Sequence, residues 1–392
     1  MKLLFIADGR SPTAAGWMEY FLLDDRYEVH LVSTFPATPL PGLASYEEIP
    51  AAFARLAGST GGSGNWLRRW TAPGSRAVVL RRVRAWTLGR RSAALQRRIV
   101  GVEPDLVHAL RIPFEGLLAA AAYSAAAKLA IRMPPLVLSV WGNDLTLHAA
   151  ADPTIAALTA QALTTTHALL ADCRRDIRLA YEIGLPRPTP TAVIPGGGGV
   201  RPKIFFPGDP DGVDPRRIVQ PRGLRAYVEN ETFLHAVPAV LDHAPDVRFD
   251  CPGLAGDPRL AALAGKLGIE HAIRLLPALP QTELAALFRR AAVILSPTTH
   301  DGTPNSLLEA LACGCFPIAG DLESIREWIT PGLNGLLVDP RSPVSIASAI
   351  LECLGDPVIR SRARLHNLKM ISERALYGNV MPRAGAFYEN LV

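Results

Sequence analysis

Ser296-Pro-Thr-Thr-His-Asp-Gly-Thr-Pro-Asn-Ser-Leu-Leu-Glu-Ala-Leu-Ala-Cys-Gly314 is the stretch from which the rest of the chain can be read. Immediately before it, Ala291 to Leu295 (AAVIL) is apolar, partly β-branched and of the length a buried parallel strand needs. Behind the Asp-Gly-Thr-Pro turn, a Leu/Ala-rich segment runs to Gly314, a residue type that commonly stops a helix. The order is therefore strand, loop, helix, with Asp301 and Glu309 eight residues apart and Gly302 and Pro304 shaping the turn. A loop feeding free backbone N–H groups into a helix start is where an anion binds, because those donors lack partners and the helix dipole is positive there. The same residues also fit a capping box, Ser306 followed three places later by Glu309, which would satisfy two helix donors with no ligand. On these residues alone both readings stand.

The frame Pro-x-x-x-Asp-Gly-x-Pro-Asn-x-x-x-Glu-Ala-x-Ala-x-Gly, residues 297–314, resembles the Glu-x7-Glu signature of retaining nucleotide-sugar glycosyltransferases of family 4, which have the GT-B fold. Asp301 stands where that signature has its first Glu. Further segments resemble the family in the same order. They are the opening Met1 to Ser33, the strand Pro104-Asp-Leu-Val-His108, the strand-end loop Ser139-Val-Trp-Gly-Asn-Asp144, the domain end Ala192-Val-Ile-Pro-Gly196, and the phosphate-binding entry Pro221-Arg-Gly-Leu-Arg225.

The resemblance implies an α/β protein of two Rossmann-like domains facing each other across a cleft. Residues 1–199 would form the acceptor-side domain, 200–373 the nucleotide-sugar domain, and 374–392 a helix crossing back to the first. It implies transfer of a hexose from a nucleoside diphosphate sugar to a hydroxyl acceptor with retention, without a metal or any cofactor beyond the donor. Glu309 would take hydrogen bonds from the ribose and Asp301 from the donor sugar, while Arg222 and Arg225 hold the diphosphate. Gly302, Thr303, Pro304, Asn305, Ser306 and Leu307 would line the donor, and the backbone at Pro277 and Ala278 the base. Gly16, in the loop after the first strand, would approach the phosphates. Asp144 and His108 would face the acceptor or sugar; read from the residues alone, Asp144 is an Asx turn and His108 a core histidine. One departure stands out: relatives carry a Lys about five residues after the Arg, whereas here Tyr227 and Val228 occupy that place. A catalytically silent sugar-nucleotide-binding relative is thus the alternative.

Length and composition agree with a folded multidomain protein. The chain has 392 residues, 49% of them hydrophobic and 20% charged, which excludes disordered and fibrous classes. Its five cysteines, Cys173, Cys251, Cys313, Cys315 and Cys353, lack zinc-type spacing and suit a reducing cytoplasm. The apolar start is broken by Asp8 and the alanine-rich run by Lys128, Arg132 and Pro134, so no membrane span is expected.

Along the chain, strands are expected at Lys2–Ala7, Val29–Val32, Asp105–Ala109, Leu136–Val140, Leu169–Asp172, Arg217–Gln220, Val247–Cys251, Ile273–Leu276, Phe316–Ala319 and Gly335–Val338. Helices are expected at Trp17–Leu23, Gly116–Leu129, Arg174–Ile183, Glu229–Leu241, Arg259–Leu267, Glu283–Ala292, Ser324–Ile329 and Arg374–Leu391. Gly58 to Gly64 reads as a mobile loop, and the Pro/Gly-dense segment Pro186 to Pro215 as the hinge between domains.

From Ile49 to Val102 there is no Asp, Glu or Lys, yet arginines from Arg68 to Arg98 alternate with Trp66, Trp70 and Trp86. With a net charge of +5 overall, this charge is local. Two readings stand side by side: a solvated helix face, or a cationic surface resting on an anionic leaflet, which would make the enzyme peripheral to the inner face of a membrane and its acceptor lipid-linked. The basic run also leaves a nucleic-acid-binding protein as a second alternative, but it lacks a recognition-helix pattern, so no nucleic acid is expected as a partner.

Overall fold

The computed structural model describes residues 1–50, 75–151 and 153–392, with side chains described outside 75–88 and 151. The loop expected at Gly58 to Gly64 lies outside the described residues. Two compact units emerge, one of residues 1–198 with 381–392, the other of residues 199–380.

In the first unit, β1 (Lys2–Ala7), α1 (Pro12–Leu22), β2 (Glu28–Ser33), β3 (Ser45–Glu48), α2 (Ser75–Val102), β4 (Leu106–Ala109), α3 (Leu117–Lys128), β5 (Leu136–Val140), α4 (Pro153–Thr165), β6 (Ala168–Ala171), α5 (Arg174–Ile183) and β7 (Thr191–Val193) follow one another. All seven strands pair in parallel in the order β3-β2-β1-β4-β5-β6-β7. Parallel neighbours need a crossover, and helices on the sheet faces then bury both sides of the strands. Leu3 to Ala7 and Leu136 to Val140 are accordingly buried throughout.

The second unit repeats the plan with β8 (Asp214–Val219), α6 (Asn230–His243), β9 (Arg248–Pro252), α7 (Pro258–Lys266), β10 (Ile273–Leu276), α8 (Gln281–Arg290), β11 (Ala291–Ser296), α9 (Asn305–Cys313), β12 (Phe316–Gly320), β13 (Leu336–Val338), α10 (Pro343–Gly355) and α11 (Pro357–Arg374). The last helix, α12 (Tyr377–Glu389), starts in this unit and ends in the first. Its sheet order is β10-β9-β8-β11-β12-β13, all parallel, so the order reverses between β8 and β11. The AAVIL run is β11, fully buried at the centre. Gly314 ends α9 in the left-handed conformation at φ 95°.

Two helices differ from expectation. Ser324–Ile329 forms only a single turn at Ile325–Glu327. The helix expected from Arg374 to Leu391 starts only at Tyr377, because Val200 N–H donates to the Ala375 carbonyl at 2.7 Å and Tyr377 N–H to the Val200 carbonyl at 2.8 Å. These bonds draw the chain at Ala375 out of helical geometry, at φ −132°. The short edge strand β3, SYEE, and the helices α4, α10 and α11 were not anticipated.

Candidate active site

In an open parallel sheet, ligands bind beyond the carboxyl ends of the strands where the strand order reverses. In the second unit that point lies between β8 and β11, and the chain leaving each strand there carries the residues singled out above. Arg222, three residues past β8, is 6% exposed. Its Nη2 pairs with Asp301 Oδ2 and its Nη1 donates to Ser306 Oγ at 3.0 Å. Arg222, Asp301 and Ser306 thus meet in space across 84 residues of chain.

The capping box does not form. Pro304 is the N-cap of α9, Ser306 lies inside the first turn, and its hydroxyl serves Arg222. Among the described residues the Asn305 and Ser306 N–H groups have no acceptor, as expected for the first turn of a helix without a side-chain cap. The carboxyl of Glu309, one turn on in α9, makes no hydrogen bond among the described residues. Burial pushes its carboxyl up to about 7, with the Arg222 charge acting the other way.

The neighbours of this centre hold the backbone in place. Asp301 carbonyl accepts from Ser324 Oγ at 2.7 Å, and Thr303 Oγ1 accepts from Trp328 Nε1 at 3.0 Å. Gly302 and Pro304 are buried in the turn, and Leu307 is a core residue. Gly320 is required because a Cβ there would lie 2.2 Å from the Thr298 carbonyl oxygen. Arg225 is exposed on the loop after Arg222. Where a lysine was expected, the backbone is stitched to the chain leaving β11: Glu229 N–H donates to Pro297 and Thr299 N–H to Tyr227, each at 2.9 Å. Pro277 and Ala278, exposed past β10, flank the same edge, and the Pro277 carbonyl accepts from Gly253 N–H at 3.1 Å.

The sheet of the first unit reverses between β1 and β4. Beyond its carboxyl ends, Asp144 is 1% exposed, and its Oδ1 accepts from Arg111 Nε and Nη2 at 3.1 and 3.0 Å. Its Oδ2 accepts from Trp141 N–H at 3.1 Å. That last bond runs back to the strand-end loop and is not the expected Asx turn, which would take the N–H two residues further on; Arg111, not foreseen, ties Asp144 to the end of β4. His148 Nε2 lies 3.4 Å from Arg111 Nη2. Arg111 and Phe114 have φ of 134° and 76°, conformations rare for side-chain-bearing residues and concentrated at functional sites. Between them and α3, Glu115 is 2% exposed, accepts from Thr34 Oγ1 at 2.5 Å, and is pushed by burial to about 8.

Two expectations are corrected. His108 is wholly buried inside the first unit, with Nδ1 against Tyr388 OH at 2.5 Å and Nε2 against Ser139 Oγ at 2.8 Å. Burial pulls it down to about 3, so it is a neutral core histidine. Gly16 lies inside α1, which starts at Pro12, so its amide falls past the four unpaired donors of the helix start. A group of close-set ligand atoms, Asp172, Cys173 and Asp176, is penetrated by Arg175, whose guanidinium pairs with Asp176 at 2.7 Å and opposes a cation.

Arg111, Glu115, Gln220 and Asn230 left little trace in the sequence. The one signal was a polar residue just past a strand, directly so for Gln220 after β8 and two residues on for Arg111 after β4.

Residues 224–356 match the family model described as glycosyl transferases group 1; Asp301 and Glu309 lie inside the match and Arg222 just before it. A D-inositol 3-phosphate glycosyltransferase of Streptomyces bingchenggensis is 29% identical over 230 residues, 56% of this chain and 44% of that protein. Another, of Thermobispora bispora, is 37% identical over 105 residues, 27% of this chain and 24% of that protein. The matched part thus spans less than half the length of these curated relatives. Among solved structures, Anabaena HepE in complex with UDP superposes with a TM-score of 0.72 at 14% identity, covering 100% of both chains. The sucrose-phosphate synthase of Thermosynechococcus elongatus gives 0.73 at 15% identity, covering 100% of this chain and 99% of that one. Residues 224–356 thus carry a match to glycosyl transferases group 1, within a chain of two Rossmann-like units that has the GT-B fold.

Proposed function

We propose that the protein is a glycosyltransferase that moves a hexose from a nucleoside diphosphate sugar to a hydroxyl acceptor with retention at the anomeric carbon. The observation that carries this reading is the buried Arg222 at the strand-order reversal, bonded to Asp301 and Ser306 beside the unpaired amides that start α9. A guanidinium cannot lose its charge and fits phosphate oxygens two at a time. On this reading the diphosphate meets Arg222, Arg225 and the Asn305 and Ser306 amides, and no metal is needed to balance its charge. Glu309 accepts from the ribose hydroxyls, Asp301 turns from Arg222 to a hydroxyl of the sugar, and the base rests on the backbone at Pro277 and Ala278. The structural neighbour HepE was solved with UDP, which favours a uridine nucleotide as the first to try.

In the transfer, the bond from the anomeric carbon to the diphosphate oxygen breaks while the acceptor oxygen bonds to that carbon on the same face. The acceptor's proton goes to the departing diphosphate, whose growing charge the two arginines stabilise. The first unit supplies the acceptor side, with Asp144 and Arg111 at its sheet edge.

The arginine run adds a second element to the proposal. In its described part, Leu95 and Ile99 are buried, Arg90 and Arg97 are exposed, and Arg98 pairs with Glu47 at 3.3 Å. That part is an amphipathic helix packed on its own unit, so a membrane contact would rest on the arginines nearer Arg68. Among the described residues no helix is long and apolar enough to cross a membrane. Co-sedimentation with neutral and anionic vesicles tests this: equal pelleting with both removes the membrane partner and with it the argument for a lipid-linked acceptor.

The central test is a thermal-shift screen against UDP-, GDP- and ADP-sugars, followed by a donor-hydrolysis assay on the best binder. A ligand bound only by the folded state raises the melting point. Binding without hydrolysis or transfer identifies a silent sugar-nucleotide-binding protein. The anomeric configuration of a transferred sugar, read by nuclear magnetic resonance, decides retention.

A further inference from the structure

We infer that Gln220 and Asn230 are positioning residues, a buried amide pair that turns the Leu224 N–H toward the second phosphate of the donor and supplies part of what the expected lysine would have brought. The inference rests on the donor site proposed above.

Gln220 directly follows β8 and is 0% exposed, and its own N–H continues the sheet by donating to Asp250 at 2.9 Å. Its side-chain Oε1 accepts from the Arg222 N–H at 2.7 Å, and its Nε2 donates to Asn230 Oδ1. Asn230, the first residue of α6 and 7% exposed, passes the chain of bonds on: its Nδ2 donates to the Gly223 carbonyl at 3.1 Å. Two side-chain amides thus clasp the loop on either side of Arg222 Cα.

The consequence follows from the geometry of the peptide bond. Among the described residues every peptide is trans, so the Gly223 carbonyl and the Leu224 N–H point in opposite directions. With the carbonyl held by buried Asn230, the Leu224 N–H is aimed away from the clasp. It has no acceptor among the described residues. Gly223 takes φ 62° and Gly253 φ 80°, and a Cβ on Gly253 would stand 3.1 Å from the Gly223 Cα. The two glycines therefore let the ends of β8 and β9 close up, leaving the 223–224 peptide at the sheet edge. A backbone donor fixed in this way needs no reorganisation when charge develops on a phosphate, the property that makes oriented amides effective. The Tyr227 to Glu229 segment is held by its backbone bonds to the chain after β11, so it brings no cation to this edge.

Calorimetry with UDP and UMP on the full-length protein tests the inference, using Asn230→Asp and Gln220→Glu. Asn230→Asp sets a carboxylate oxygen against the Gly223 carbonyl; Gln220→Glu keeps the acceptor for Arg222 N–H and removes the donor to Asn230. The expected result is a loss of UDP affinity of about tenfold or more, the scale of a hydrogen bond to a charged group, with a much smaller loss for UMP. Should Asn230→Asp fail to fold, Gln220→Glu carries the test. A variant with a lowered melting temperature but an unchanged ratio of UDP to UMP affinity marks a packing role and overturns the inference, as does undiminished UDP binding. Wild-type protein that binds none of UDP, ADP and GDP overturns the donor-site reading itself, a result seen before any variant is made.

Discussion

Replacing Glu309 with Gln should separate what this carboxyl does for the ligand from what it does to the fold. Its pKa rises from an ordinary 4.5 to about 7 because burial disfavours the charge more than Arg222 favours it. The sign follows from linkage. Between those values the unfolded chain has lost the proton that the folded protein keeps, so stability falls as pH rises from about 4.5 and levels off above about 7. At about 1.4 kcal/mol per pH unit the full penalty is roughly 3 kcal/mol. Glu309 keeps some contact with solvent, which screens the charge, so about 1 to 2 kcal/mol is the expected size. Gln has the same shape and no charge. Denaturant titrations should therefore find wild type and Glu309→Gln equally stable near pH 4.5, and the variant more stable by about 1 to 2 kcal/mol at pH 8. The same variant should bind UDP about tenfold more weakly, since a charge-assisted bond to the ribose is lost. Parallel stability curves from pH 4.5 to 8 would refute the assigned burial. Unchanged UDP affinity would refute the ribose role.

Asp301→Asn should lower turnover while leaving UDP affinity equal or higher, because the carboxylate that now occupies Arg222 no longer competes with the diphosphate; parallel losses of UDP and UDP-sugar binding would contradict this. Arg222→Lys keeps the charge but cannot reach both Ser306 and Asp301, so turnover should fall by about tenfold to a hundredfold at unchanged net charge, read in steady-state kinetics. Tyr388→Phe should destabilise the first unit by about 1 to 3 kcal/mol in denaturant, because Trp17 Nε1 donates to the Tyr388 hydroxyl at 2.8 Å and His108 Nδ1 lies against it, all three being buried.

The strands were legible where burial on both faces writes a nearly continuous apolar run, as in Lys2–Ala7, Leu136–Val140 and Ala291–Ser296. They were not legible where an edge strand needs no such run: Ser45–Glu48 carries two glutamates and no aliphatic residue. α11 was hidden for a related reason. Its sequence, PVIRSRARLHNLKMISER, is largely polar, and it is held partly by single contacts such as Asn367 with Asn334 at 2.8 Å. The break at Ala375 was invisible because its cause, Val200, lies 175 residues away.

The candidate site divides along the same line. Asp301, Ser306 and Glu309 sit on one loop and helix, so their spacing could be read directly; what spacing could not say was that Ser306 serves Arg222 instead of capping its own helix. That choice is made by tertiary structure, which brings the end of β8 beside the end of β11. The absent lysine looks like a defect from sequence, because composition records side chains and a backbone donor leaves no letter of its own. The local bonds explain why the position can be given up. Tyr227 and Glu229 fix the chain after β8 to Thr299 and Pro297 through main-chain bonds available to most residue types, while Gln220 and Asn230, ten positions apart, hold the peptide that faces the other way. A site whose charge complement is carried partly by oriented amides should tolerate substitution at Tyr227 and resist it at Gln220 and Asn230, the reverse of what the family pattern alone would lead one to test.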